Sequence, residues 1–200
     1  MSPVSPARID EVLRDARARV VRAGLEHADA ELLLAHVLGK SRSWLYAHSD
    51  DALADDIATR YAQILDRRIA GEPLAYLTGR KGFWRFELKV TPDTLVPRPE
   101  TELLVELALA HLPRDRPVRV ADLGTGSGAI ALAIAYERPL AHVVAIDASA
   151  AALDVARENA KALRLANVEF RLGDWCMPLA DDTFDVIASS VGLLLTVLLL

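Results

Sequence analysis

The sequence predicts an α/β protein in which a parallel, doubly wound sheet follows a small helical bundle and a β-hairpin linker. Three observations predict this arrangement. A β-branched segment at 118–122 leads through closely spaced glycines into an apolar helical segment that reaches Ala135. Strands and helices then alternate as far as residue 188, which is typical of a parallel sheet with crossover helices. Before residue 71, apolar residues recur at helical spacing instead.

Composition excludes several classes of protein. The 200 residues are 52% hydrophobic and 26% charged, as in globular domains, and the net charge of −5 is spread over both halves. No basic stripe is present, which disfavours a nucleic-acid partner. The single cysteine, Cys176, excludes an internal disulfide and an all-cysteine metal site, and we expect it to be buried. With no signal segment and no apolar segment of roughly 20 residues, the sequence predicts a cytoplasmic protein without membrane contact.

Residues 1–73 are predicted to form an N-terminal helical domain. Three apolar stripes at helical spacing indicate three helices, which end near Gly24, Gly39 and Gly71. A short turn is expected at 44–47. The histidines of this segment lack cysteine or carboxylate partners at ligand spacing, so no metal site is predicted. This domain is interpreted as a binding or supporting unit.

Residues 74–96 are predicted to form a linker hairpin. From Trp84 to Val90 the apolar residues alternate with charged ones, which indicates a half-buried strand. The segment 97–102 then reads P-R-P-E-T-E, in which prolines stiffen the backbone and acidic residues stand where a helix begins. It is either a rigid lead into a helix or one wall of a neighbouring site.

Three glycines at alternate positions, Gly124, Gly126 and Gly128, follow the first strand of the predicted sheet. They allow a tight turn and let a ligand approach the backbone closely. The helix that follows offers free N–H groups and a positive dipole end. A dinucleotide site has the spacing G-x-G-x-x-G, whereas here the third glycine comes one residue earlier and Asp122 lies two residues before the first. That carboxylate disfavours a pyrophosphate and favours a ligand with an amino group.

A second acidic residue, Asp147, ends the next buried strand, where it is placed to hydrogen-bond a ribose diol. A ligand with an amino acid at one end and a ribose in the middle is S-adenosylmethionine, which the sequence therefore predicts as cofactor. Asp174 and Trp175 follow the third strand, at 168–172. They suit an adenine, because the acid can accept a hydrogen bond from the exocyclic amine and the indole can stack on the ring. A fourth strand is predicted at 184–188.

These motifs occur in an order that resembles the peptide chain release factor glutamine methyltransferases, the HemK/PrmC family. The resemblance covers residues from about 8 to 189. It rests on L-V-P-R-P-E-T-E at 95–102, D-L-G-T-G-S-G at 122–128, Asp147, G-D-W at 173–175, D-A-E-L-L-L-A-H-V-L-G at 29–39 and E-P-L-A-Y-L-T-G at 72–79.

The resemblance implies N5-methylation of the glutamine in the Gly-Gly-Gln loop of release factors, with S-adenosylmethionine as donor. It implies that residues 1–73 bind the release factor and that residues 97–200 form a partial, Rossmann-like class I methyltransferase domain. Pro97 to Glu102 would lie beside the donor. The candidate cofactor-binding residues are Gly124, Thr125, Gly126, Ser127, Gly128, Asp147, Asp174 and Trp175.

The sequence departs from the family after the fourth strand. The family has Asn-Pro-Pro-Tyr there, to hold the target amide, whereas this chain has Ser190, Val191, Gly192 and Leu193. A serine hydroxyl does not offer the paired donor and acceptor of an amide. No intact catalytic residue is therefore identified, and we expect methyl transfer to be impaired.

The aberrant tail at 190–200 is nearly all apolar and suggests a shifted reading frame, a truncated chain or a degenerate paralogue. As an extra strand, this tail would cover the exposed edge of the fourth strand. Two alternatives to the methyltransferase remain: a non-catalytic remnant that binds S-adenosylmethionine or a release factor, and an amino-methyltransferase that acts on adenine in nucleic acid. An NAD-dependent oxidoreductase is disfavoured by the glycine spacing.

Overall fold

The computed structural model describes residues 7–179, 182–190 and 196–199. The chain divides into two compact units, Met1–Thr78 and Gly79–Leu200. The hairpin, which was predicted to be a linker, lies in the second unit. None of the helices in the described ranges is both long and apolar enough to cross a lipid bilayer.

The first unit is a bundle of helices whose apolar faces meet in one core. Its helices are α1 (Ile9–Arg22), α2 (His27–Leu38), α3 (Arg42–Ala47), α4 (Asp55–Ile69) and α5 (Leu74–Thr78). Helices α1, α2 and α4 confirm the three predicted stripes, and Gly39 ends α2 with φ of 63°, as expected of a glycine C-cap.

The turn predicted at 44–47 is wrong, because these residues belong to helix α3. The side chain of Ser41 accepts a hydrogen bond from the backbone N–H of Trp44, at 3.1 Å, and so caps this helix. Leu45 is buried in the core. Six residues are too few to show the periodicity by which the longer helices were recognised.

The second unit contains a two-stranded hairpin and a five-stranded sheet. Its elements are β1 (Arg80–Phe83), β2 (Phe86–Lys89), α6 (Glu100–His111), β3 (Val118–Leu123), α7 (Ala129–Glu137), β4 (Ala141–Asp147), α8 (Ala150–Leu163), β5 (Val168–Leu172), β6 (Val186–Ser189) and β7 (Thr196–Leu199). The sheet has the order β5-β4-β3-β6-β7, with β7 antiparallel to β6 and the other strands parallel. The α/β fold class is therefore confirmed, and β7 is an added edge strand of the kind considered for the tail.

The hairpin differs from the prediction at its turn. The predicted strand began at Trp84, but Trp84 and Arg85 form the turn and β2 begins at Phe86. Trp84 has a φ of 57°, an uncommon conformation for a bulky residue. Its backbone N–H donates to Glu102 at 2.8 Å, and its indole N–H donates to Glu137 at 3.0 Å. These two carboxylates, from α6 and α7, hold the turn in place.

The helices of the sheet lie over one face, so the doubly wound arrangement is only half present in the described residues. Apolar residues of α6, α7 and α8 pack with one face of the strands, represented by Val120 and Val143. The opposite face, which includes Ala121 and Val144, packs instead with Leu179 and other residues of the segment before β6. Within the ranges described, no α-helix contributes to that second cluster.

Cys176 was expected to be buried and is exposed. It lies between β5 and the short 3-10 turn at Met177–Leu179. Composition alone favoured burial because cysteine is among the most often buried residues, but the position of this cysteine in a connecting segment decides otherwise.

Arg138 joins the ends of two helices from a buried position. Its guanidinium donates hydrogen bonds to the carbonyls of Leu109 at 2.7 Å, Leu112 at 2.8 Å and Glu137 at 3.0 Å. The last carbonyls of a helix have no partner within that helix. Arg138 therefore supplies donors to carbonyls at the ends of α6 and α7, of which the Leu109 carbonyl also accepts from the Leu112 N–H at 3.4 Å.

We expect Arg138→Met to lower the free energy of unfolding by roughly 2–4 kcal/mol, because it removes the donor to the carbonyls of Leu112 and Glu137. The matched control is Arg116→Met, which removes an exposed guanidinium 3.6 Å from Asp185 and should cost less than about 1 kcal/mol. Urea denaturation followed by tryptophan fluorescence measures both. Equal losses in the two variants would contradict this assignment.

Candidate functional site

The predicted glycine turn connects β3 to α7 and is called here the glycine loop, residues 124–128. The N–H groups of Gly124 and Thr125 donate to one acceptor, the carbonyl of Ile146, at 2.9 and 2.8 Å. The loop is thereby fixed to the carboxyl end of β4. Gly126 has a φ of 57° and no atom within 4 Å of the position where a Cβ would stand. Space for a ligand is therefore open beside the backbone at this residue.

Asp122 is buried beneath the glycine loop, with 1% of its surface exposed. Its Oδ2 accepts hydrogen bonds from the Thr125 hydroxyl at 2.7 Å and from the Ala131 N–H at 3.1 Å. Burial raises the pKa of Asp122 to about 6, although these two hydrogen bonds lower it; the charge of Asp147 raises it further.

Two buried polar atoms at this loop have no hydrogen-bond partner. They are Oδ1 of Asp122 and the hydroxyl of Ser127, two of three such side-chain atoms in the described part of the chain. A buried polar group without a partner costs free energy, and a ligand or ion that supplies the partner removes this cost. An ammonium group suits the carboxylate of Asp122, and a carboxylate suits the N-terminus of α7. The residues present therefore fit a ligand with an amino-acid end.

Asp147 braces the glycine loop as well as ending β4. Its Oδ2 accepts a hydrogen bond from the Gly126 N–H at 2.8 Å, and its Oδ1 accepts one from the Ser149 N–H at 2.9 Å. The sequence placed this acid at a strand end but did not predict the bond to the loop. Each carboxylate oxygen still has a second lone pair with which to accept a hydroxyl.

The segment after β5 is held next to Asp147. The Gly173 N–H donates to the Asp147 carbonyl at 3.0 Å, and a Cβ on Gly173 would stand 2.2 Å from the Pro178 ring, so a glycine is required there. Asp174 and Trp175 follow and are both exposed; Trp175 keeps 55% of its surface accessible and has a φ of 46°. The indole is thus available for stacking.

Ser190 directly follows β6, at the carboxyl ends of the strands, where the glycine loop also begins. Ser189 pairs in register with Leu123, and its hydroxyl donates to the Leu123 carbonyl at 3.0 Å. Because β3 and β6 are parallel, their carboxyl ends share this edge. Val191, Gly192 and Leu193 lie outside the described residues.

The segment P-R-P-E-T-E has a structural role at several of its residues. Pro97 and Thr101 are buried, Glu100 and Glu102 lie in the first turn of α6, and the Glu102 carboxylate binds the hairpin turn at Trp84. These contacts agree with the rigid lead into a helix. Its placement beside the donor stays a prediction.

Sequence reasoning missed Asn159, a buried residue in the middle of α8. Its amide bonds to the backbone of Lys89 and to the Ser127 carbonyl in the glycine loop. A signal was present, because Asn159 stands on the same face of α8 as Ala152, Val155 and Ala156 and is the polar residue among them. Asparagine is unfavourable inside a helix, so a buried one needs a partner.

A parallel sheet with a glycine loop after its first strand, a buried acid beneath that loop and an acid at the end of the next strand defines a Rossmann-like methyltransferase domain of class I. Family models agree: the PrmC N-terminal domain matches residues 11–79, and a methyltransferase domain matches residues 115–197. The prediction of an S-adenosylmethionine-dependent methyltransferase domain is thus confirmed.

Three curated proteins named release factor glutamine methyltransferase are similar to this chain. The protein of Xylella fastidiosa strain 9a5c is 52% identical over 166 residues, which are 83% of this chain and 60% of that protein. The Coxiella burnetii protein is 52% identical over 76% of this chain and 54% of its own length. The Escherichia coli K12 protein is 43% identical over 89% of this chain and 64% of its own length.

The chain is therefore similar to the release factor glutamine methyltransferases, and it spans 54–64% of the length of these three relatives. Among solved structures, the SAM-dependent methyltransferase from Agrobacterium tumefaciens is similar with a TM-score of 0.47 and 25% identity, over 55% of this chain and 38% of that one.

The raised pKa of Asp122 predicts a pH-dependent cost in stability. Its folded pKa of about 6 exceeds the unfolded value of 3.8, so the folded state holds the proton more tightly. This contribution is fully present below pH 3.8 and is lost as the pH rises through about 6. Between pH 5 and pH 8 it should remove on the order of 1–2 kcal/mol from the free energy of unfolding.

Asp122→Asn should abolish this part of the pH dependence, because an amide does not ionise, whereas the exposed Asp154→Asn should retain it. Urea denaturation of the three proteins at pH 5 and pH 8 measures the difference. A wild-type profile parallel to that of Asp122→Asn would show that Asp122 does not titrate in this range.

Proposed function

We propose that this chain binds S-adenosylmethionine at the glycine loop and descends from enzymes that methylate a release-factor glutamine. The observation that carries the cofactor proposal is the pair of buried atoms without partners, Asp122 Oδ1 and the Ser127 hydroxyl, beside the N-terminus of an α-helix. A helix N-terminus alone attracts any anion. The buried carboxylate beside it selects a ligand that also carries a cationic amino group.

The proposal assigns the ends of the cofactor to different residues. The glycine loop would hold the amino-acid end, with Asp122 facing the ammonium group. Asp147 would accept hydrogen bonds from the ribose hydroxyl groups through the remaining lone pairs of its carboxylate. Asp174 would accept a hydrogen bond from the exocyclic amine of the adenine, and the exposed indole of Trp175 would stack on the adenine ring.

The proposed protein substrate is a peptide chain release factor. The support is the printed name of the relatives and the match of residues 11–79 to the PrmC N-terminal domain. Residues 1–73 would bind the release factor, while residues 97–200 would bring the donor to it. Release factors act in translation, which puts the proposed activity in the cytoplasm.

When bound, S-adenosylmethionine supplies an electrophilic methyl group. The amide nitrogen of glutamine is a weak nucleophile because its lone pair is delocalised. The enzyme must therefore hold that nitrogen in line with the methyl group and accept hydrogen bonds from its N–H groups. Ser190 occupies the position where the family has an asparagine for this task. One hydroxyl does not make the paired hydrogen bonds of an amide, so we propose that transfer by this chain is impaired.

A non-catalytic role, binding S-adenosylmethionine or a release factor without turnover, is the second candidate. The residues at 190–193 favour it, because they replace the acceptor-holding motif while the glycine loop is retained. An amino-methyltransferase acting on adenine in nucleic acid is less favoured. The net charge of −5 provides no electrostatic footprint for a nucleic acid, and the segment P-R-P-E-T-E resembles the release factor enzymes instead.

Calorimetric titration with S-adenosylmethionine tests the cofactor site. We expect saturable binding by the wild type and a loss of at least about tenfold in affinity for Asp147→Ala, which removes the brace on Gly126 and the acceptor for the ribose. Asp154→Ala, on the exposed face of α8, is the matched control and should bind like the wild type. A folded wild-type chain that does not bind the cofactor would overturn the proposal.

Methylation of a purified release factor tests the proposed impairment. Relative to the Xylella fastidiosa relative, this chain should be slower by roughly a thousandfold or more, because several kcal/mol of transition-state stabilisation is missing at 190–193. The assay follows tritiated methyl transfer, with equal saturation of the donor checked in both proteins. Turnover close to that of the relative would refute the impairment.

A further inference from the structure

Asn159 joins the hairpin to the glycine loop through one buried side chain. Its Oδ1 accepts a hydrogen bond from the Lys89 N–H at 2.8 Å, and its Nδ2 donates to the Lys89 carbonyl at 3.0 Å and to the Ser127 carbonyl at 2.8 Å. Both N–H donors of the amide are thus used. A buried amide with this complete set of partners fixes its three contacts relative to one another.

The hairpin strand presents the right groups to Asn159 because of its register. The Val90 N–H donates to the Gly79 carbonyl, and Arg80 pairs with Lys89, so along this antiparallel ladder the backbone groups of Lys89 point away from β1. They form an open strand edge. The Asn159 amide pairs with that edge as a third strand would.

The far end of the hairpin is fixed independently. Glu102 and Glu137 hold the strained turn residue Trp84, so the hairpin is tied to α6 and α7 at its turn and to α8 at Lys89. A segment fixed at both ends provides a rigid support for whatever Asn159 holds. What it holds on the other side is Ser127, whose buried hydroxyl has no partner of its own.

We infer that Asn159 is a positioning residue that uses the hairpin as a support to hold the glycine loop in its ligand-binding shape. Without its bond to the Ser127 carbonyl, the loop would keep the contacts of Gly124 and Thr125 with Ile146 and of Gly126 with Asp147, but it would lose the side-chain restraint at Ser127. The role in cofactor binding rests on the proposed function. The mechanical link between hairpin and loop does not.

The test compares Asn159→Leu with Asn167→Leu in the full chain. Asn167 is a matched control, since its amide donates to the carbonyls of Ala135, Arg138 and Ala141, at 3.2, 3.3 and 3.1 Å, without a bond to the loop. Both variants leave backbone carbonyls without a donor and should lower the melting temperature. Only Asn159→Leu should speed amide hydrogen exchange in the glycine loop, by about tenfold.

Cofactor affinity is the second readout. Asn159→Leu should weaken S-adenosylmethionine binding by about tenfold at a temperature where it is fully folded, whereas Asn167→Leu should leave it within about twofold. Equal loop exchange in the two variants would overturn the inference, because Asn159 would then act only through stability. If Asn159→Leu speeds exchange in the loop but the wild type binds no cofactor, the link is confirmed and the proposed function is overturned.

A second variant serves if Asn159→Leu does not fold. Asn159→Asp has the same size and keeps an acceptor for the Lys89 N–H, but it cannot donate to Ser127 when ionised. It should speed exchange in the glycine loop and leave the Lys89 amide protected. Unchanged loop exchange in this variant would equally overturn the inference.

Discussion

The candidate site depends on the carbonyl of Ile146, which accepts hydrogen bonds from two successive N–H groups of the glycine loop. This carbonyl lies at the carboxyl end of β4, so it fixes the loop after β3 to the neighbouring strand. Asp147 follows it directly and binds Gly126 through its side chain and Gly173 through its carbonyl. One strand end therefore collects the segments that would meet the cofactor.

The same arrangement buries two polar atoms without a hydrogen-bond partner in the described part of the chain, Oδ1 of Asp122 and the hydroxyl of Ser127. Two donors reach one oxygen of Asp122 and none of the described residues reaches the other. Burial raises the pKa of Asp122 to about 6. A buried oxygen without a partner costs free energy, which a cationic ligand group bound there would offset. Burial of Asp122 thus links the local chemistry of the loop to the proposed amino-acid end of the ligand.

Many elements were predictable because local chemistry specifies them. The glycine at the end of α2 and strand β5 at 168–172 are found where the sequence indicates. Local patterns failed where tertiary contacts decide. Trp84 reads as the start of a strand, but carboxylates from α6 and α7 hold it in a turn. Asn159 shows a polar residue on an apolar face, yet its partners are far away in sequence.

The sequence by itself determined the class of fold, the resemblance to the release factor glutamine methyltransferases, the glycine loop with its two acids and the departure at Ser190. These follow from spacing along the chain, and spacing is preserved whatever the packing. Only the tertiary structure decided that helices cover one face of the sheet, that Asp147 braces Gly126 and that Asn159 joins the hairpin to the loop. The reason is physical: a hydrogen bond between residues 21 to 70 positions apart depends on how the elements pack, and no local pattern records it.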